Sequence, residues 1–151
     1  MRFAPVALAL LFSSAMPVLA QDKKPDLFAN PGDLKWAPAP PIVPPGAQIT
    51  VLSGDPNQSG PYVLRLKMPA NYVVPAHHHP TVENVTVLSG SFHAGMGDKV
   101  DRSRGLTFEP GGFASMPAGM NHYAWTTGET VVQISGDGPF AFSYVDEPVK
   151  K

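Results

Sequence analysis

Pro75-Ala-His-His-His-Pro-Thr-Val-Glu-Asn-Val-Thr-Val-Leu-Ser-Gly90 sets three histidines in a row and a carboxylate, Glu83, four residues after the last of them. Successive side chains of a strand alternate between faces, so His77 and His79 share one face and His78 points to the other. Two imidazoles two apart on a strand can reach one metal ion together. Glu83 has the parity of His77 and His79, but Pro80 lies between and permits a bend or bulge. Glu83 completes a three-ligand face only if the chain curves back. The five histidines are His77, His78, His79, His93 and His122. His122 is the candidate for a ligand from elsewhere, because a short β run, a turn at Pro117 and Gly119 and an aromatic run lead through it between Gly111 and Trp125. His78 and His93 read as surface or packing residues.

These two segments resemble the two motifs of the cupin family. The first motif, G-x5-H-x-H-x3-4-E-x6-G, is met by His77, His79, Glu83 and Gly90, with Asn71 in place of the leading glycine. Asparagine also tolerates positive φ, so the turn is retained. The second, G-x5-P-x-G-x2-H-x3-N, is met by Gly111, Pro117, Gly119 and His122, with Thr126 in place of the closing asparagine. The resemblance implies an all-β double-stranded β-helix, or jelly-roll barrel, and a metal held by His77, His79, Glu83 and His122. The stretch from Pro45 to Asp98 is also similar to cupin domains of unknown function and to the zinc-binding cupin of some anti-sigma factors.

The rest of the chain agrees with an all-β domain. β-rich or alternating runs are predicted at Gln48–Ser53, Tyr62–Met68, Tyr72–Val74 leading into the histidines, Phe92–Met96, Leu106–Glu109, Thr130–Ile134 and Phe140–Tyr144. In the second of these Leu64, Leu66 and Met68 face one way and Val63, Arg65 and Lys67 the other. Gly/Pro-rich turns separate the runs and no long segment carries a helical period, which points to an antiparallel sandwich or barrel.

Residues 1–20 read as a signal peptide: Arg2, an apolar run from Phe3 to Phe12, then Val18-Leu19-Ala20 before the polar Gln21. The run is short for a bilayer span and contains Pro5. The expected location is periplasmic or secreted. With no cysteine there is neither a disulfide nor a lipid anchor on cysteine. Residues 21–45 read as a proline-rich arm lying over the domain, with Leu34 and Trp36 to pin it and a homodimer by arm exchange as an expectation. The barrel spans 46–146, and 147–151 is a polar tail. A formal net charge of −1 with no basic run argues against nucleic acid, and nothing in residues 21–151 suggests a membrane partner.

Three neutral imidazoles and a carboxylate suit one divalent transition metal, among Mn, Fe, Co, Ni, Cu and Zn. The aromatic and thioether residues Phe92, Met96, Phe108, Phe113, Met116, Tyr123, Trp125, Phe140 and Phe142 supply core and ligand wall together, and the scarcity of charge favours a small neutral or aromatic ligand. Three functions are open: a metal-dependent oxidoreductase of dioxygenase type, a non-catalytic metal- or ligand-binding module, and a non-redox lyase, isomerase or hydrolase using the metal as a Lewis acid.

Overall fold

The computed structural model describes residues 29–146. The expected signal peptide, the first part of the arm and the tail 147–151 lie outside them. The strands in chain order are β1 (Ala37–Pro38), β2 (Gln48–Ser53), β3 (Gly60–Met68), β4 (Val73–His78), β5 (Glu83–Ser89), β6 (Phe92–Met96), β7 (Leu106–Phe108), β8 (Phe113–Met116), β9 (His122–Thr126), β10 (Thr130–Gly138) and β11 (Ser143–Tyr144). They form two antiparallel sheets, one in the order β1-β2-β3-β10-β5-β8 and the other β11-β4-β9-β6-β7. This is the jelly roll expected from the sequence.

The core lies between the sheets. Alternation puts Leu64, Leu66 and Met68 of β3, Val85 and Val87 of β5, and Val132 and Ile134 of β10 inward from the larger sheet. Val74, Phe92, Ala94 and Ala124 meet them from the smaller one. Each such side chain removed from water contributes roughly 1.5–3 kcal/mol for the larger residues. The smaller sheet is also covered on its outer face, where Ala76, Tyr123 and Trp125 form a second cluster. The charged loop after β6 closes over it: Tyr123 donates to the carbonyl of Asp101 (2.8 Å) and the Arg102 guanidinium sits 5.9 Å from the Trp125 ring. With both faces covered, every residue of β9 is buried.

The described part of the arm, from residue 29, packs on its own domain. A 3-10 turn at Pro31–Asp33 precedes β1, and Ala37 and Pro38 pair with Ile49 and Gln48. The prolines preclude a helix but leave this one short ladder, because β1 is the edge of the sheet and its proline needs no outward partner. Trp36 is half-buried, with the Lys67 ammonium 4.5 Å from its ring.

Two strand expectations are corrected. β10 runs on past Ile134 to Gly138, since it pairs with β3 along its whole length, to Gly138 opposite Gly60. The strand expected over Phe140–Tyr144 is reduced to Ser143–Tyr144. The preceding residues turn their rings and one carbonyl onto the histidines instead of joining a ladder.

Candidate metal centre

β4 and β9 are neighbours, with His77 directly opposite His122. β4 ends at His78, so His79 sits just past it, and the chain then crosses to the other sheet, where Glu83 is the first residue of β5. The chain therefore does curve back around Pro80, and Glu83 faces the histidines across the sandwich. Two contacts hold the crossing: Thr81 donates to the carbonyl of Asp137 (2.7 Å), and the Gly119 amide donates to the carbonyl of His79 (2.8 Å). The second ties the turn of one motif to the histidines of the other.

His77, His79 and His122 are all buried, and one ring nitrogen of each lies within 4.8 Å of the others. Their orientation is set from behind. The Nδ1–H of His77 donates to the carbonyl of Pro75 (2.6 Å), that of His79 to Ala141 (2.6 Å) and that of His122 to Met120 (2.9 Å). With the proton on Nδ1, each Nε2 keeps a lone pair. Carbonyl partners on the far nitrogen are the usual companions of metal-binding histidines. The Nε2 atoms of His79 and His122 are buried with no hydrogen-bond partner. The nearest charge is the Glu83 carboxylate, 3.4 Å from His79 Nε2 and 3.7 Å from His122 Nε2. These separations exceed the 2.7–2.9 Å of a charge-assisted hydrogen bond, whereas two ligands about 2.1 Å from one ion sit roughly 3–4 Å apart. Orphaned lone pairs around a common centre thus fit a metal cation, and the three histidines are the group that could hold one, with Glu83 beside them.

Electrostatics agree. Burial, with His122 alongside, pulls the His77 imidazole down to about 3, so it is neutral in neutral solution. Burial by itself would raise Glu83, but His122 and His79 override it and hold the carboxyl down at about 2. Burial opposes the charged form of His79, yet Glu83 turns the net shift upward. The Glu83 carboxylate is thus held ionised beside His79 and His122.

The cavity at the centre is about 30 Å³ and is bounded by His77, Glu83, His122, Phe142 and Met116 with core aliphatics. That is room for an ion with a water or two. Met116 also bounds a second, larger cavity of about 440 Å³, walled by Met96, Leu106, Phe108, Phe113 and Arg104. Leu106 (67% exposed) and Phe113 (58%) are exposed there.

His78 and His93 stay out of the cluster, as expected. His78 Nδ1 meets Asn121 Oδ1 at 3.0 Å on the half-buried side of β4. His93 stacks on Trp125 on the outer face, 4.9 Å apart and 8° from parallel. Both motif departures keep their turns. Asn71 adopts φ 60°. Thr126 accepts from the Tyr72 amide (3.1 Å) and donates to the carbonyl of Pro69 (2.6 Å), lashing that turn to β9. Sequence reasoning missed the contribution of Ala141, because a backbone carbonyl leaves no trace in residue type.

Two antiparallel sheets closing over inward-facing histidines from both motifs make this protein a cupin. More particularly, the chain belongs to the family described as the ChrR cupin-like domain, whose model matches residues 24–141. No curated protein matches it. Among solved structures it is similar to a putative acetylacetone dioxygenase from Methylibium petroleiphilum PM1 (18% identity, TM-score 0.61, covering 80% of this chain and 81% of that one). It is also similar to the DMSP lyase DddQ from Ruegeria pomeroyi DSS-3 (18%, 0.59, 85% and 75%) and to KdgF from Halomonas sp. (17%, 0.57, 73% and 93%). At these identities the likeness is one of fold.

Proposed function

We propose that His77, His79, His122 and Glu83 bind one divalent transition metal and that the protein is a metal-dependent oxidoreductase of dioxygenase type acting on a small organic molecule. The observation that carries the reading is the convergence of three buried histidines, their Nδ1 atoms held by carbonyls and the Nε2 atoms of His79 and His122 left without partners, beside an ionised carboxylate. A bound ion supplies Lewis acidity there and, if redox-active, activation of O₂. The chain's own residues do the rest. Glu83 supplies the charge that offsets the cation. Phe142 and the core aliphatics keep bulk water out. The larger cavity beyond Met116 has the size usual for a small-molecule site. Its apolar walls suit an aromatic or aliphatic body, and Arg104 offers a partner to an anionic or enolic end. Shift of the unbranched Met116 side chain would join the two spaces.

The likeness to a lyase keeps a second reading in play, Lewis-acid catalysis without O₂. Oxygen-electrode assays on iron- or copper-loaded protein with β-diketones and catechols, run beside the zinc form, separate them. Oxygen uptake confined to the redox metals supports the oxidoreductase, and turnover by zinc supports the lyase. Elemental analysis of protein purified without added metal tests the common premise. A metal-free protein that also fails reconstitution would sink both readings.

We further propose export with cleavage after Ala20, supported by the leader-like residues 1–20, and a homodimer by exchange of the proline-rich arm, supported by the short β1–β2 edge ladder that such an arm could form on a second copy. N-terminal sequencing of the native protein and light scattering check these.

A further inference from the structure

The three histidines are not oriented alike. His77 and His122 donate to carbonyls two residues before themselves, Pro75 and Met120, within their own chain segments. His79 donates to Ala141, 62 residues away. Its tautomer and ring angle therefore depend on a separate stretch, Pro139–Val145, which crosses from the end of β10 to the edge of the smaller sheet. The same stretch walls the site. Phe142 stacks on His77 (4.5 Å, 23°) and meets His79 edge-on (4.7 Å, 80°), and Phe140 lies parallel to His79 (5.8 Å, 15°). Phe142 also bounds the central cavity.

This strap is held down by few bonds. Its ladder is two residues long, Ser143 and Tyr144 opposite His78 and His77. The amides of Phe140 and Val145 donate to the carbonyls of Pro56 (2.7 Å) and Ala76 (2.9 Å). The Tyr144 hydroxyl donates to the carbonyl of Ile42 (2.7 Å), which joins the strap to the N-terminal arm. Beyond these bonds, Phe140 and Phe142 pack against the main core, and Phe140 meets the Tyr62 ring edge-on (5.7 Å, 60°).

We infer that the strap Pro139–Val145 is the positioning element of the metal centre: its docking completes the ligand set through Ala141 and His79, and a bound metal in turn holds the strap down. Linkage makes the coupling reciprocal: a bound metal favours the docked strap by the same factor by which docking raises metal affinity. Phe142 is the positioning residue on its inner side and Tyr144 the tether on its outer side. Release of the strap would free His79 to turn and uncover His77. The inference rests on the proposed metal binding and on no assumption about the reaction.

The test is hydrogen exchange on the full chain, with and without one equivalent of zinc, with zinc affinity measured by chelator competition. The peptide over Pro139–Val145 is compared with that over Gly60–Met68. Zinc should slow strap exchange about tenfold more than exchange in β3, matching the usual effect of residues behind metal ligands. Tyr144→Phe keeps the ring beside His77 and removes only the hydroxyl tether to Ile42; it should speed strap exchange and weaken zinc. Phe142→Ala should do the same, with Phe142→Leu restoring affinity. Zinc bound at one equivalent with strap exchange unchanged, or slowed no more than in β3, would overturn the inference and leave the metal site standing. So would a strap in Tyr144→Phe that exchanges at nearly the unprotected rate, and is therefore largely undocked, with unchanged zinc affinity. If no zinc binds, both this inference and the proposed function fall.

Discussion

Glu83 and Thr126 show how much rests on single polar atoms in this fold. Glu83 is 7% exposed and carries its charge among imidazoles. Glu83→Gln keeps the shape and removes the charge. Chelator competition should show metal affinity falling at least tenfold, at a cost of about 1.4 kcal/mol or more, with the folded spectrum unchanged. Thr126 stands where the motif has asparagine and is 1% exposed. Thr126→Val would leave the Tyr72 amide and the Pro69 carbonyl without their shared partner. Loss of such a buried bond costs about 1–3 kcal/mol, read as a lower urea midpoint at unchanged slope. His122, 2% exposed, was identifiable as a ligand candidate in the sequence because its surroundings offered a turn and an aromatic run. The carbonyls that aim the imidazoles were not, since every residue has one.

The connections between strands carry as much of the site as the strands do. Asn71 begins the turn into β4 with φ 60°, a left-handed conformation that glycine and asparagine adopt cheaply. Asn71→Ala should destabilise by about 1 kcal/mol and Asn71→Gly should be tolerated, a contrast visible in paired thermal melts. Gly90, between β5 and β6, has φ 82°, and a Cβ there would lie 2.3 Å from the carbonyl oxygen of Glu129. Gly90→Ala should therefore cost more than the strain alone, which is about 1–3 kcal/mol, and lower the melting temperature further than Asn71→Ala. The period-2 pattern of β3 made its inward face readable from sequence, and the burial of Leu64, Leu66 and Met68 follows it. The strap was misread as a strand because alternating phenylalanines suit a ladder as well as a stack of rings. Only the histidines' location in space distinguishes the two.

Stability of the whole barrel should respond to pH in alkali. Burial raises the phenols of Tyr62 and Tyr72 well above their ordinary value and pushes Tyr144 up to about 12. Unfolded tyrosines ionise near pH 10, so between pH 10 and 12 the unfolded chain holds fewer protons than the folded one. Stability contributed by these groups is complete below pH 10 and declines as the pH rises. Urea midpoints should fall across that window, and the 295 nm phenolate signal should appear together with unfolding. A phenolate titration of these three residues at pH 10 in folded protein would contradict this. Metal should act in the opposite direction, raising the melting temperature with free metal concentration. That increment should shrink in mild acid, because protons compete for His79, whose imidazole Glu83, against burial, holds above its ordinary value.

The sequence by itself determined the all-β class, the cupin motifs and the inward face of β3, because alternation and turn chemistry are local and survive without knowledge of neighbours. It also named the three histidines that meet in space, since their spacing is part of the motif. What only the tertiary structure decided is where the chain crosses between sheets, so that Glu83 faces His79 and His122 from the opposite layer. It likewise decided that Ala141 orients His79 and that Phe142 covers His77. These contacts join residues far apart in the chain, and they exist only once the hydrophobic core has brought the two sheets together.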